Sequence, residues 1–217
     1  MFTIDASYGF SEPTCIKDNI DFWYDIYTKK LDDEEVEHSI NLGSTNTSSK
    51  KSTRKQSGLK SRFAEGVKRE SFFWPTVVKY LDEVPWQLGL LPHVESSFNP
   101  AAVSKVGAVG MWQIMPSTGR MYNIKDKRVL KDPNVSSKLA IKILKENYSK
   151  TGSWPLALTA YNHGLGGVMR AIKKTNSNDF CTIIKNYSGP KFKFASKNFY
   201  AQFLAVVRIR SENGVKK

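Results

Sequence analysis

Several things are scarce or missing in this chain, and each absence narrows what it can be. No apolar run is long enough to cross a membrane as a helix. Histidines number three and cysteines two in 217 residues. His38, His93 and His163 have no metal-like partner spacing, and neither cysteine falls in a zinc or redox pattern, so no metal or other cofactor is expected. Nothing alternates strand-wise for long and no internal repeat is present, which leaves a mainly α chain. The first ten residues, MFTIDASYGF, lack the basic start and apolar core of a secretory signal. A mature or trimmed chain would look the same. Acidic residues are outnumbered, 20 against 33 Lys and Arg, for a net charge of +13. No recognised DNA or RNA motif accompanies that charge, so nucleic acid is not the expected partner.

What is present is enough for one well-cored domain with an extension: 40% of residues are hydrophobic, a globular proportion. Charge divides the chain. Residues 1–43 hold 10 acidic and 3 basic side chains, a net −7; residues 44–62 hold 6 basic and no acidic ones; residues 63–217 carry +14. Attraction to a polyanion and a merely solvated basic face both fit this asymmetry. The expected organisation is an N-terminal helical extension over 1–43, a basic Ser/Lys-rich linker or loop over 44–62, and a main domain over 63–217. In the extension, Ile16, Ile20, Trp23, Tyr24 and Tyr27 recur at helical spacing and form a face that packs on the main domain. Residues 32–37, DDEEVE, form an acidic surface patch. Lys50, Lys51, Arg54 and Lys55 could bind phosphate, but no aromatics interleave them. An oxidising compartment would permit a Cys15–Cys181 bridge; sequence does not supply the geometry.

Helical spacing resumes with Phe72, Phe73, Val77, Val78 and Leu81. Pro85 opens a further helix through Leu91 that carries Glu95 near its end, and Pro92 should kink or divide it. Pro116 starts a helix to about Tyr122. Asp132-Pro133 is a cap and first-turn pair for a helix that Gly152 ends, and Ser153-Trp154-Pro155 starts one that ends at Gly164. Shorter helices are expected over 168–173 and 179–187, and a last one over about 195–212 buries Phe199, Phe203, Leu204 and Val207.

The chemistry concentrates in residues 91–119, LPHVESSFNPAAVSKVGAVGMWQIMPSTG. An apolar segment ends there in one carboxylate, Glu95, ahead of a loop punctuated by Pro100, Gly107 and Gly110. Apolar surroundings disfavour the ionised form and raise the pKa, as a general acid near neutral pH requires. A place in the last turn of a helix would push the same way. A half-buried structural Glu is the plainer alternative.

Glu-Ser-x-Phe-Asn-Pro followed by Ser-x-x-Gly-Ala-x-Gly-x-Trp-Gln-Ile-Met-Pro-x-Thr-Gly resembles the catalytic signature of lytic transglycosylases related to goose-type lysozyme. The family's Ala-Tyr-Asn-x-Gly motif is matched by Ala160, Tyr161, Asn162, His163 and Gly164. The likeness is strongest over 91–119 and 154–167, and DFWYDIYT and FASKNFYAQFLA also look like this branch. Lys193 stands where Gly is more usual, and His163 where many members have Ala.

The resemblance implies a lysozyme-like helical catalytic domain over 63–217, with a short β element in the Ser104–Met115 loop. It implies cleavage of the β-1,4 bond between N-acetylmuramic acid and N-acetylglucosamine in peptidoglycan, by a periplasmic or secreted monomer; association with an anionic wall or membrane surface is the reading that the basic charge leaves open beside a solvated face. Glu95 would be the single acid/base, giving 1,6-anhydro ends. Ser104, Gln113, Met115, Tyr161 and Asn162 would bind the glycan. Ser104 and Gln113 could equally satisfy loop backbone, Tyr161 could be structural, and Trp112 reads as core. A hydrolytic lysozyme on the same scaffold, acting on de-N-acetylated glycan, and a non-catalytic glycan-binding module are the competing readings.

Overall fold

The computed structural model describes residues 12–28, 49–189 and 194–215. His38, Lys193, the acidic run 32–37 and the first residues of the expected linker, 44–48, lie outside them. So does most of the expected 1–43 extension. The described chain is helical and has no sheet. Helix α1 spans Lys17–Thr28, α2 Ser49–Val77, α3 Leu91–Ser96, α4 Pro116–Met121, α5 Pro133–Thr151, α6 Trp154–His163, α7 Leu165–Thr175, α8 Phe180–Asn186 and α9 Phe194–Glu212.

The centre of the molecule is α9. Phe199, Tyr200, Ala201, Phe203 to Val207 and Ile209 are all buried, so this helix is covered on more than one face. Helices α1, α3 and α6 pack around it. The sequence pattern predicts a single buried stripe; the additional small residues Ala201 and Ala205 let neighbours approach on the other sides.

Helix α1 is fastened to α9 by polar contacts as well as by buried Ile20 and Ile26. Arg208 donates to Glu12 at 2.6 and 2.9 Å and to Asp21 at 2.7 Å. Tyr24 donates to Glu212 at 2.8 Å, and Asn19 and Trp23 both donate to Asn198 Oδ1. Cys15 and Cys181 form a disulfide that ties the segment ahead of α1 to α8. Closing so long a loop contributes roughly 2–5 kcal/mol.

The linker expected over 44–62 is corrected by the structure from Ser49 onward, where the chain is already helical. Lys, Arg and Gln are good helix formers, and elongating an existing helix costs far less than nucleating one. From Phe63 the helix buries a stripe of Phe63, Gly66, Glu70 and Val77. Lys50, Lys51, Arg54 and Lys55 lie on its described backbone. Pro75 lacks the N–H that would bond back to Ser71, and the helix gives way to a 3-10 turn at Val78–Tyr80.

Pro92 divides the next segment, as its chemistry requires. A 3-10 turn over Trp86–Leu90 ends, and α3 begins at Leu91 with Pro92 in its first turn, where no N–H is needed. Asp132 caps α5, accepting from Asn134 and Val135 N–H at 2.8 and 2.9 Å. Gly152 ends α5 at φ 64°, and Gly164 separates α6 from α7 at φ 89°. The β element in the 104–115 loop amounts to two isolated antiparallel bridges, Val103–Val109 and Val109–Ile114.

Candidate active site

Glu95 is the penultimate residue of α3, so the negative end of that short helix lies beside it. Its side chain is half-buried, and burial pushes its pKa up to about 8. No neighbouring charge contributes to the shift among the described residues. Burial thus holds the proton on this carboxyl well above the usual carboxylate range, while the side chain is still reached by solvent.

The chain leaves α3 through two consecutive non-glycine residues in the left-handed region, Ser97 and Phe98, both at φ 55°. Such conformations cost energy and persist where surroundings enforce them. Here Phe98 is fully buried and its N–H bonds back to Pro92 O at 3.0 Å. Arg69, from α2, donates to Ser97 O at 3.1 Å. Ser96 donates to Met111 O at 2.7 Å and accepts from Asn99 N–H at 3.0 Å, so the end of α3 is bonded to the far side of its own loop.

The loop is shaped from within. Gly110 sits at φ 81°, and a Cβ there would come within 2.1 Å of Leu130 O, so the chains meet too closely for any side chain. Trp112 is fully buried, with its indole N–H on Ser137 Oγ at 2.9 Å; it is core, as expected. Tyr161, near the end of α6, donates its hydroxyl to Trp112 O at 2.8 Å. Burial raises the Tyr161 pKa well above 10, and the charge of Glu95 raises it further, which sets the two groups within electrostatic reach. Tyr161 is thus neutral, with its hydroxyl proton held on Trp112 O.

Of the expected site residues, Tyr161 lies within electrostatic reach of Glu95, and Gln113 follows the residue that Tyr161 holds. Gln113 donates from Nε2 to Gly110 O at 2.8 Å and adopts φ 49°. Ser104 accepts from Ala108 N–H at 3.0 Å. Both side chains are engaged with loop backbone in this structure. Met115, just ahead of α4, is exposed, as are Val103, Val106 and Met121, which leaves apolar surface along the loop and α4. Asn162 is exposed in the last turn of α6. His93 is buried with Nε2 on Glu70, while its Nδ1 is buried without a hydrogen-bond partner among the described residues, so the core-satisfied expectation holds for one ring nitrogen only. Ser96 and Arg69 were not singled out as site residues. Ser96 adjoins Glu95 in the motif, whereas Arg69 gives no signal 28 residues upstream of its acceptor. Among the described residues no three His, Cys, Asp or Glu side chains gather in a way that could hold a metal.

The scaffold is helical, and it holds one carboxyl whose pKa is raised in the direction a general acid requires. Residues 82–184 match the family model described as Transglycosylase SLT domain. It is 42% identical over 108 residues to membrane-bound lytic murein transglycosylase D of Escherichia coli strain K12, covering 46% of this chain and 24% of that protein. It is 30% identical over 143 residues to membrane-bound lytic murein transglycosylase F of Haemophilus influenzae strain PittGG, covering 60% of this chain and 28% of that one. The chain thus spans only about a quarter of the length of these relatives. The fold resembles the 70-kDa soluble lytic transglycosylase of Escherichia coli, with TM-score 0.56 and 20% identity, over 81% of this chain and 32% of that one. A complex of the 70-kDa soluble lytic transglycosylase with bulgecin A gives TM-score 0.58 at 20% identity, over 100% of this chain and 39% of that one. The fold is of this lysozyme-like kind.

Proposed function

We propose that this chain is a peptidoglycan lytic transglycosylase that uses Glu95 as its one acid/base. The observation that carries the reading is the Glu95 carboxyl, pushed up to about 8 by burial, within electrostatic reach of Tyr161 and inside the stretch that matches the SLT model. The names of the relatives refer to murein, the glycan polymer of the bacterial wall, and the bond cut is the β-1,4 linkage after N-acetylmuramic acid.

In the first half-reaction Glu95 gives its proton to the glycosidic oxygen, and the bond to C1 breaks. Ordinary glycosidases then rely on a second carboxylate. Here the muramyl N-acetyl carbonyl lends its electrons to C1 in that role. In the second half Glu95, now ionised, takes the proton of the sugar's own 6-hydroxyl as that oxygen closes on C1 and the bond from C1 to the N-acetyl oxygen breaks, restoring the N-acetyl group. The product is a 1,6-anhydro ring, Glu95 recovers its proton, and no water is consumed.

Tyr161 keeps Trp112 and the following Gln113 in place beside the reacting ring. Asn162 and Met115, both exposed, are positioned to meet the glycan, Met115 offering an apolar face to a sugar. Ser104 and Gln113 serve the site through the loop they brace. The Cys15–Cys181 bridge supports action outside the cytoplasm, where disulfides persist. The net charge of +13 favours approach to an anionic wall.

Release of soluble fragments from purified sacculi, native and chemically de-N-acetylated, tests the reading. Rapid release from native and sharply slowed release from de-N-acetylated material is expected. Equal rates on both would remove the substrate's N-acetyl group from the mechanism.

A further inference from the structure

Helix α3 has only six residues, fewer than two turns, and its own ladder cannot fix its rotation about its axis. That rotation decides where Glu95 points. Two positions earlier on the same helix, about 200° around it, is His93. Glu95 faces the site, so His93 faces the interior.

His93 is wholly enclosed there. Its side chain is 0% exposed, and Nε2 lies 2.7 Å from Glu70 Oε2 on α2, whose side chain is 2% exposed. Arg210 on α9 brings Nε to 2.8 Å of the same oxygen as an ion pair. The imidazole lies between Phe63 and Phe98, at ring-centre distances of 5.1 and 4.7 Å. Gly66 of α2 closes over Nδ1: a Cβ on it would come to 2.9 Å. Three helices distant in sequence therefore meet at one buried polar node under the acid. An apolar trio of similar volume would fill the space with less desolvation cost, so stability alone is a weak reason for such a node. A directional bond specifies an angle, which apolar packing does less well.

We propose that Glu70, His93 and Arg210 form a positioning node that sets the rotation of α3 and thereby the aim of Glu95. The inference rests on Glu95 being the acid proposed above. With Glu70 as carboxylate, Nε2–H of the neutral imidazole donates to it, and the guanidinium balances the charge. A shift of about 1 Å at the reacting centre can cost about a hundredfold in rate, so a small rotation of α3 registers in turnover before it registers in binding.

The test measures kcat and KM on soluble uncrosslinked glycan strands, at temperatures well below each variant's Tm, for wild type, Glu95→Gln, His93→Leu, His93→Gln and Glu70→Asp. His93→Leu should lower kcat about tenfold or more with KM little changed, and shift the alkaline limb of the pH–rate profile as the carboxyl takes up different packing. His93→Gln, whose amide can still donate to Glu70, should recover most of the loss. If His93→Leu fails to fold, Glu70→Asp carries the test, since it keeps the charge but draws it back by one methylene; its kcat should fall with KM maintained. Variants that lose Tm but keep wild-type kcat and pH profile would overturn the node while leaving Glu95 as the acid. A wild type unable to cleave would sink both readings together.

Discussion

The hydroxyl of Tyr161 donates to the carbonyl of Trp112 at 2.8 Å, joining the end of α6 to the middle of the loop that follows the acid. With Ser96 on Met111 O, it closes the loop against two helices at adjacent residues, 111 and 112. Removing that donor with Tyr161→Phe leaves a carbonyl short of its partner, at a cost of about 1–3 kcal/mol. Cleavage should fall about tenfold to a hundredfold while helical circular dichroism is retained. Wild-type turnover in Tyr161→Phe would mean that the bond has no part in holding the site.

Gly110→Ala tests the close approach beneath the loop. The new Cβ would meet Leu130 O at 2.1 Å in a backbone conformation of φ 81°. Backbone must move, at a cost of about 3 kcal/mol or more. Thermal unfolding should show a Tm lower by about 6 °C or more.

The parts of the architecture that could be read in advance are those with local causes. Asp132-Pro133 and Gly152 bound α5 because a carboxylate, a ring and an absent Cβ act within a turn of themselves. Glu95 was legible because its motif is contiguous. A linker or loop that turns helical only towards Phe63 is what the composition of 44–62 suggests, and the helix begins earlier, at Ser49, because composition does not reveal a helix propagated from a better-anchored neighbour. Ser104 and Gln113 were found by motif, but whether they face glycan or their own backbone is decided by turn geometry. Arg69, Glu70 and Arg210 carried no signal, because a charge on a helix reads as a solvated face until the partner helix is known.

The disulfide gives a redox prediction. Cys15 is exposed, so reductant can reach the bridge to Cys181. Reduction, or Cys15→Ser, should lower stability by about 2–5 kcal/mol, read as a shift in the guanidinium midpoint. Arg208 still holds Glu12 and Asp21, so the reduced protein should remain folded under native conditions. A midpoint indifferent to reductant would contradict the bridge as a staple.

Two groups with shifted pKa values impose opposite dependences of stability on pH. Glu95 binds its proton more tightly folded than unfolded, with its pKa near 8 instead of 4.5. Its stabilising contribution is complete below the unfolded value and is lost as pH rises towards 8. Glu95→Gln should therefore gain Tm relative to wild type progressively between those limits. His93 is held below its ordinary 6.5, burial outweighing the opposite pull of Glu70 while Arg210 adds to the depression. Unfolded chains protonate first, and stability falls as pH drops below 6.5. His93→Gln should flatten that acid slope in a Tm series.

The most direct measurement is the mass of the glycan ends released from native sacculi by wild type and by Glu95→Gln at equal concentration. Wild type should leave muramyl ends one water lighter than reducing ends, and Glu95→Gln should release nothing above the untreated control. Reducing ends from the wild type, or anhydro ends from Glu95→Gln at the wild-type rate, would contradict an intramolecular cleavage driven by that single carboxyl.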